Sequence, residues 1–165
     1  AGIGFLYVRE ELIRSLVPTH SGWFAQEDIA AMDISANRPS LTARRFEAGT
    51  PPVANCYAAE AGLKFILEVG TDAIEARVRQ LTRRCMERLE GIGWGSLTPP
   101  ENERRGPMIC VPSKDSARLT AKLMERDIVT SYRDQGIRAT FHFYNSDEDI
   151  DAFVAAMADL RSELR

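Results

Sequence analysis

The feature that most constrains the fold is an alternation of short apolar runs and amphipathic stretches over residues 108–160. Three of the runs have the length of β-strands: residues 108–111, 128–132 and 137–143. The last two are separated by a four-residue loop, 133–136, with a glycine in a turn position. Apolar side chains recur at helical spacing in two other stretches, residues 113–126 and 146–160. The sequence therefore predicts a small α/β domain with a short, mainly antiparallel sheet.

Two longer helices are predicted before this domain, over about residues 53–69 and 71–89. Prolines just before the first helix and Gly70 just after it are typical helix boundaries. The charged residues of the first helix form a single stripe of Glu60, Lys64 and Glu68. Because its remaining surface is apolar, we expect this helix to be buried on most sides. The outward side of the second helix, where we expect a solvated surface, carries Arg77, Arg84 and Arg88.

The first 52 residues show little regular periodicity. Residues 2–8 (GIGFLYV) predict a glycine turn that enters a hydrophobic strand. No methionine precedes them, so we expect this segment to follow an upstream part of the protein. A short helix is predicted over residues 9–16, but no hydrophobic period holds over 17–44. Long irregular segments of this kind are typically functional or belong to an interface, so residues 17–44 are candidate active-site material.

Composition and charge exclude several classes of function. Hydrophobic residues make up 44% of the 165 residues and charged residues 27%, as in ordinary globular proteins. The net charge is −3 and no basic block stands out, so a nucleic-acid partner is not expected. No apolar run approaches the roughly 20 residues that span a bilayer, and no secretory leader is recognisable. We therefore expect no membrane association and a cytoplasmic location.

Few residues are suited to chemistry. The sequence contains no G-x-S-x-G, H-E-x-x-H or P-loop motif. We expect no metal site, because no C-x-x-C pair occurs among the three scattered cysteines, Cys56, Cys85 and Cys110. His20 and Trp23 are the most suggestive pair, because they flank a flexible glycine within the irregular segment. Loops carry binding residues more often than cores do.

Three motifs of the chain resemble those of one enzyme family, in the order and approximate spacing seen there. They are residues 2–8 (GIGFLYV), 45–51 (RFEAGTP) and 136–145 (GIRATFHFYN). Together they span nearly the whole chain and resemble the class V aminotransferases. These are pyridoxal-phosphate (PLP) enzymes of fold type I that include cysteine desulfurases, kynureninases and isopenicillin epimerase-like proteins. The resemblance implies that the chain is the C-terminal portion of such an enzyme.

The resemblance also implies a domain organisation. Residues 1–52 would be the tail of the large domain, with an interface and active-site loop. Residues 53–89 would be a pair of connecting helices, and residues 90–165 the small C-terminal α/β domain. PLP is the implied cofactor, and the Schiff-base lysine that holds it is expected upstream of Ala1. No catalytic residue is then expected in this chain, whose own lysines lie on predicted helix faces at Lys64, Lys114 and Lys122. The isolated chain is therefore expected to be inactive.

Two residues match the family's phosphate site for PLP. In the family, a glycine–threonine pair reaches from one subunit into the neighbouring active site, where the threonine and a backbone amide bind the phosphate. Here the pair is Gly49 and Thr50, which implies a homodimer. A hydroxyl and N–H groups near a helix start suit an anion, because they bind it without adding a charge. The same residues also fit a simple turn that caps the following helix.

One arginine matches the family residue that holds the α-carboxylate of the substrate. It is Arg138, and its planar fork can contact a carboxylate through two hydrogen bonds. Arg133, in the preceding loop, is the competing candidate. His20 and Trp23 are further candidates for substrate contact. The implied substrate is an amino acid or amine.

The resemblance leaves the reaction open. Cysteine desulfurases of the family carry a persulfide-forming cysteine on the loop between the two final strands. Here that loop, residues 133–136, is short and has no cysteine, so desulfurase activity is disfavoured. Aminotransferase, epimerase, lyase and kynureninase-like hydrolase chemistry stay open. The alternative from another class is a non-catalytic α/β module that pairs with another subunit through residues 17–52.

Overall fold

A computed structural model describes residues 2–134 and 136–161, and the chain divides into two compact units, Ala1–Ile66 and Leu67–Arg165. The first unit contains the short helix α1 (Glu10–Ile13), 3₁₀ turns at Trp23–Ala25 and Ala43–Phe46, and most of helix α2 (Val53–Val69). The boundary falls inside α2. The three-part division derived from the family resemblance places its boundaries elsewhere and stays a prediction.

The N-terminal segment is not a strand, so the prediction for residues 2–8 is wrong. The described part of this segment is extended, and its side chains Phe5, Leu6 and Tyr7 are exposed. An extended segment becomes a strand only when it finds a neighbour to pair with, and none of the described residues supplies one. The helix that follows is confirmed but is only four residues long. Residues 17–44 are irregular as predicted, with one isolated β-bridge between Gln26 and Pro39.

Helix α2 has the predicted bounds, but the prediction of its burial is wrong. None of its residues is buried, and Val53, Tyr57 and Leu67 are all more than half exposed. The helix is apolar in composition, as predicted, but the described part of the chain covers none of its residues fully. Gly70, at φ +89°, ends the helix in the left-handed conformation that favours glycine.

The second unit contains a three-stranded antiparallel sheet with strand order β1-β3-β2. Its strands are β1 (Met108–Pro112), β2 (Ser131–Arg133) and β3 (Gly136–Thr140). Helices of this unit are α3 (Thr71–Gly91), α4 (Ser116–Met124) and α5 (Asp147–Leu160), and a 3₁₀ turn spans Asn102–Arg104. The expected α/β class with a short antiparallel sheet is confirmed.

The hairpin between β2 and β3 is tighter than the sequence predicted. Arg133 and Gly136, expected in the loop, instead pair with each other as strand residues. Asp134 has φ +42°, a conformation that asparagine and aspartate adopt more readily than most residues. Gln135, the other residue of the turn, lies outside the described residues.

The core of the second unit lies between the helices and one face of the sheet. Ile109, Val111, Ile137 and Ala139 alternate along β1 and β3 and are buried. They pack with buried side chains of the three helices, among them Leu81, Leu119, Leu123, Ile150 and Met157. Because strand side chains alternate between faces, the residues between them lie on the opposite face, where Arg138 is only half-buried.

The outward arginines of α3 are not simply solvated, contrary to the prediction. Arg77 donates to the backbone oxygen of Asn145 at 3.0 Å and pairs with Asp147 at 3.2 Å. Arg84 pairs with Asp147 and Asp151 at 3.6 and 3.3 Å, and Arg88 also contacts Asp151. These pairs tie α3 to the start of α5. Sequence spacing could not show them, because the partners lie more than 60 residues apart.

Ser146→Ala is expected to lower the free energy of unfolding by about 1 kcal/mol, because it removes the cap of α5. The Ser146 hydroxyl accepts the Asp149 N–H at 3.3 Å, and the Asp149 carboxylate accepts the Ser146 N–H at 2.9 Å, which confirms the predicted capping box. Urea denaturation of the chain at pH 7 measures the effect. Ser131→Ala, on the exposed edge strand, is the control and should change stability by less than about 0.5 kcal/mol.

The same cap gives a pH dependence with a defined sign. Hydrogen bonds from the Ser146 N–H and the Asn145 side chain lower the pKa of Asp149. The charged carboxylate is therefore favoured in the folded chain, and its contribution to stability is present at neutral pH and lost as the pH falls through the lowered value. If Ser146→Ala is neutral at pH 7, the cap contributes nothing and this account of α5 is wrong.

Within the described ranges, none of the helices combines the length and apolar character needed to cross a membrane.

Candidate active site

The Gly49–Thr50 pair forms the turn that leads into α2. Thr50 is exposed, and the space around the Cα of Gly49 is open. Two prolines follow, and the helix begins at Val53, with the first helical hydrogen bond from the Cys56 N–H to the Pro52 oxygen at 3.0 Å. The Val53 and Ala54 N–H groups, at the first turn of the helix, have no partner within the helix, and a helix start of this kind suits an anion.

The charge pattern at this helix start also suits a phosphate. The first turn of α2 contains no acidic residue, whereas α3 begins with Asp72 and α5 with three carboxylates. An anion at the start of α2 would thus meet N–H dipoles and a hydroxyl, and no carboxylate of the helix's own first turn would repel it. The residues present therefore fit the phosphate group of PLP.

A close backbone contact brings the two predicted loop regions of the first unit together. Gly22 lies against Ala48 so closely that a Cβ at position 22 would overlap the Ala48 carbonyl group. Gly22 lies between His20 and Trp23, and Ala48 directly precedes Gly49. The structure thus fixes the His20–Trp23 loop beside the Gly49–Thr50 turn, with a glycine that no other residue can replace without moving backbone.

Two arginines brace this arrangement, and sequence reasoning did not identify either. Arg44 donates to the backbone oxygens of Gln26 and Glu27 at 3.0 and 2.9 Å. Arg45 is only 8% exposed and donates to the Ile13 oxygen at 2.7 Å. They lie five and four residues before Gly49, and they hold this part of the chain against segments far away in sequence. The sequence signal that could have identified them is their position, because Arg45 begins the RFEAGTP motif and Arg44 directly precedes it.

The two other loop candidates differ in their contacts. The Trp23 side chain is about half exposed, and its indole N–H donates to the Ile29 oxygen at 2.8 Å. The His20 ring is exposed, with Nδ1 3.3 Å from the Thr19 hydroxyl. Trp23 is therefore fixed by the fold, whereas the contact that orients His20 is with the hydroxyl of its sequence neighbour Thr19.

Arg138 lies on the central strand of the sheet, on the face opposite the core. Its Nε donates to the Met108 sulfur at 2.8 Å, and neither Nη atom makes a hydrogen bond within residues 2–134 and 136–161. A thioether is a weak acceptor, so this contact orients the guanidinium without satisfying it. The two outer nitrogens are available to a carboxylate.

Arg133 lies on the same face but is less well placed. Register pairs Ser131 with Arg138 and Arg133 with Gly136, so both arginines project from one side of the hairpin. Arg133 is exposed and donates to the backbone oxygen of Tyr132 at 2.7 Å. The geometry thus favours Arg138, as the sequence did, while the assignment itself stays a prediction.

None of the three cysteines lies in residues 133–136, which connect β2 and β3. Burial raises the pKa of the Cys85 thiol to about 12. Cys56 is exposed on α2, and Cys110 is half-buried on β1 opposite Arg138, so neither is a core residue. In the described part of the chain, no group of three or more His, Cys, Asp or Glu residues could hold a metal ion.

Comparison with known sequences gives the family. The sequence profile described as aminotransferase class-V matches residues 1–153. The chain belongs to the class V aminotransferase family. The resemblance carried by the three motifs is thereby confirmed, and the family accounts for the fold of both units as part of a fold-type I enzyme.

Two curated relatives illustrate the range of the class V family. An uncharacterized aminotransferase, YcbU, from Bacillus subtilis is 28% identical over 149 residues, covering 90% of this chain and 39% of the relative. A probable cysteine desulfurase from Pyrococcus abyssi is 28% identical over 179 residues, covering 99% of this chain and 44% of the relative. The chain therefore spans about two-fifths of the length of the curated relatives it matches.

Solved structures agree on the fold. The apo cysteine desulfurase of Thermococcus onnurineus NA1 has a TM-score of 0.83 at 24% identity, covering 96% of this chain and 42% of that one. A C-DES variant with glycine covalently linked to its PLP cofactor has a TM-score of 0.77 at 20% identity, covering 93% of this chain and 40% of that one. The expectation of PLP is confirmed for the class V family and fold to which the chain belongs.

Proposed function

We propose that this chain is the C-terminal portion of a PLP-dependent class V enzyme that acts on an amino acid or amine. The observation that carries the proposal is the Gly49–Thr50 turn at the acid-free start of α2, in a chain whose family membership is established. PLP, when bound, supplies an electron sink for negative charge at the substrate Cα.

Thr50 is proposed to bind the phosphate through its hydroxyl, together with N–H groups of the turn and the first turn of α2. Because this set adds no positive side chain, it holds the phosphate without perturbing the ring of the cofactor. We propose that the pair serves the partner subunit of a homodimer, as the family pattern implies. A cytoplasmic location stays the prediction from sequence.

Arg138 is proposed to hold the α-carboxylate of an amino-acid substrate. Two parallel hydrogen bonds from the Nη atoms fix the orientation of the substrate, and with it the bond at Cα that stands perpendicular to the cofactor. The Met108 sulfur restrains the Nε side of the fork. Arg133, His20 and Trp23 are secondary candidates for contacts to the rest of the substrate.

Aminotransferase, epimerase, lyase and hydrolase chemistry all remain compatible with these roles. A desulfurase is disfavoured despite the relatives of that name, because the β2–β3 turn is short and residues 133–136 include no cysteine. The competing proposal is a non-catalytic module, which the exposed apolar surface of α2 would suit. The enzyme proposal predicts that the full-length protein binds PLP covalently, and the non-catalytic module proposal predicts that it does not.

Borohydride trapping tests the proposal. The 165-residue chain mixed with PLP and reduced should show no saturable adduct, because Lys64 and Lys122 pair with Glu60 and Glu125 on helix surfaces and Lys114 is not enclosed in a cofactor pocket. The full-length protein should be labelled at a single upstream lysine, and its lysine-to-alanine variant should not. Mass spectrometry identifies the labelled lysine. A saturable adduct on any of the three lysines, or an unlabelled full-length protein, would contradict the proposal.

A further inference from the structure

The irregular segment of the first unit forms an open cavity that is lined by Trp23 but by neither Thr50 nor Arg138. The chain leaves the Trp23–Ala25 turn, forms a loop over residues 27–38, and returns to pair at Gln26 and Pro39. At the neck of this loop the Glu27 N–H donates to the Arg38 oxygen and the Ser40 N–H to the Ala25 oxygen, both at 2.8 Å. The cavity volume is about 620 Å³, which is ample for one amino-acid side chain.

The polar groups at the base of this cavity satisfy one another. The Gln26 amide nitrogen donates to the Ser21 hydroxyl at 3.1 Å and to the Asn37 side-chain oxygen at 3.0 Å. The Ser21 hydroxyl in turn donates to that oxygen at 3.2 Å. Since the indole N–H of Trp23 is also engaged, the side-chain donors of Ser21, Gln26 and Trp23 all have partners within the chain.

The apolar side chains of the loop are unusually exposed. Met32 is 63% exposed and Ile34 is fully exposed, and both line the cavity together with Trp23 and Ile29. Met32 also has φ +50°, which is rare for a residue with an unbranched apolar side chain. Strained residues persist where the surrounding structure holds them for a function. A ligand that covered these side chains would remove apolar surface from water.

The position of the cavity indicates which ligand it would take. Gly22 lines the cavity and at the same time lies against the Ala48 carbonyl, one residue before the Gly49–Thr50 pair. The cavity and the proposed phosphate residues are therefore held next to each other within one unit. A substrate whose Cα lies at the cofactor can direct its side chain toward such a neighbouring cavity.

The charges around the cavity restrict the substrate further. Its lining includes three carboxylates, Glu27, Asp28 and Asp33, but among the described residues a single cation, Arg38. Hydrogen bonds from the Ser35 hydroxyl and N–H lower the pKa of Asp33, which keeps it charged. An acidic side chain would be repelled by this surface, whereas a neutral apolar one would not.

We propose that the loop cavity lined by Trp23, Ile29, Met32 and Ile34 receives the side chain of the amino-acid substrate and selects large apolar side chains over acidic ones. The inference rests on the proposed function and adds the substrate class. It assigns Met32 and Ile34 as specificity-determining residues that contact the substrate side chain.

The test measures binding, so it does not depend on knowing the reaction. The dissociation constants of L-phenylalanine, L-alanine and L-aspartate are obtained for the full-length PLP-loaded protein by calorimetry. We expect phenylalanine to bind most tightly and aspartate most weakly. The double variant Met32→Ser/Ile34→Ser should weaken phenylalanine about tenfold or more and leave alanine within about threefold. Leu41→Ser, another exposed apolar residue outside the cavity, is the matched control and should leave all three constants unchanged.

The outcomes separate this inference from the proposed function. A protein that takes up no PLP would contradict the proposed function itself. A protein that binds PLP and alanine but shows no preference for phenylalanine over aspartate would overturn the substrate class alone. Equal weakening of phenylalanine and alanine by the double variant, or no effect on either, would remove Met32 and Ile34 from the substrate site. Because both side chains are exposed, serine at these positions should leave the fold intact, which circular dichroism checks.

Discussion

Arg138→Ala in the full-length protein is expected to lower kcat/KM for an amino-acid substrate by about 10- to 150-fold, the effect of losing one charge-assisted contact to a carboxylate. Both KM and kcat should change, because the fork contributes affinity and also fixes the orientation of the reacting bond. Arg138 suits this role because the strand places it on the face opposite the core, where neither Nη atom is hydrogen-bonded to any part of the chain that the structure describes. Steady-state kinetics with an α-amino acid measures the effect.

Two variants sharpen this prediction. Arg138→Lys keeps the charge but not the planar fork, so it should recover affinity more than kcat. Arg133→Ala is the matched control, because Arg133 lies on the same face of the hairpin but is exposed and bonded to its neighbour's backbone. It should change kcat/KM less than about threefold. If Arg133→Ala has the larger effect, the carboxylate site belongs to Arg133.

Mixing two full-length variants is expected to restore activity when PLP is kept at a concentration too low to fill sites that lack the Thr50 hydroxyl. One is Thr50→Ala and the other lacks the upstream lysine. If Thr50 serves the partner subunit, a heterodimer places both defects in one site and leaves the other intact. Statistical exchange of equal amounts in a two-fold symmetric dimer then restores about a quarter of the wild-type activity. If Thr50 acts within its own subunit, every site of the heterodimer carries one defect, and no activity returns.

The mixing experiment needs a control that shows that the subunits exchange between dimers. Differently tagged subunits must be shown to co-purify after mixing, and two preparations of the lysine-less variant mixed together must remain inactive. Absence of recovery after proven exchange would contradict the assignment of Thr50 to the neighbouring active site. A protein that stays monomeric at assay concentrations but is active would contradict the homodimer altogether.

Local patterns in the sequence were enough to predict much of the second unit. Alternating apolar residues place Ile137 and Ala139 against the core, so the face of Arg138 follows from the period of a strand. The cap at Ser146 was equally readable, because all of its partners lie within one helical turn. Such features depend only on residues that are close together in the sequence, so the sequence is enough to predict them.

Features that depend on distant partners could not be predicted. The contact between Gly22 and Ala48 and the ion pairs from α3 to α5 join residues far apart in sequence, with no period to indicate them. The predictions for residues 2–8 and for the burial of α2 failed for the related reason that a strand or an apolar helix is completed only by a partner. Apolar composition indicates that a partner is needed and not which segment provides it.

The affinity of the full-length protein for PLP, measured for variants at position 50, tests the central claim most directly. Thr50→Val removes the hydroxyl and keeps the shape, so the dissociation constant of PLP should rise about tenfold, the worth of a hydrogen bond to a charged phosphate. Thr50→Ser keeps the hydroxyl and should stay within about threefold of the wild type. If the Thr50→Val variant instead binds PLP as tightly as the wild type does, the assignment of this turn as the phosphate site is contradicted.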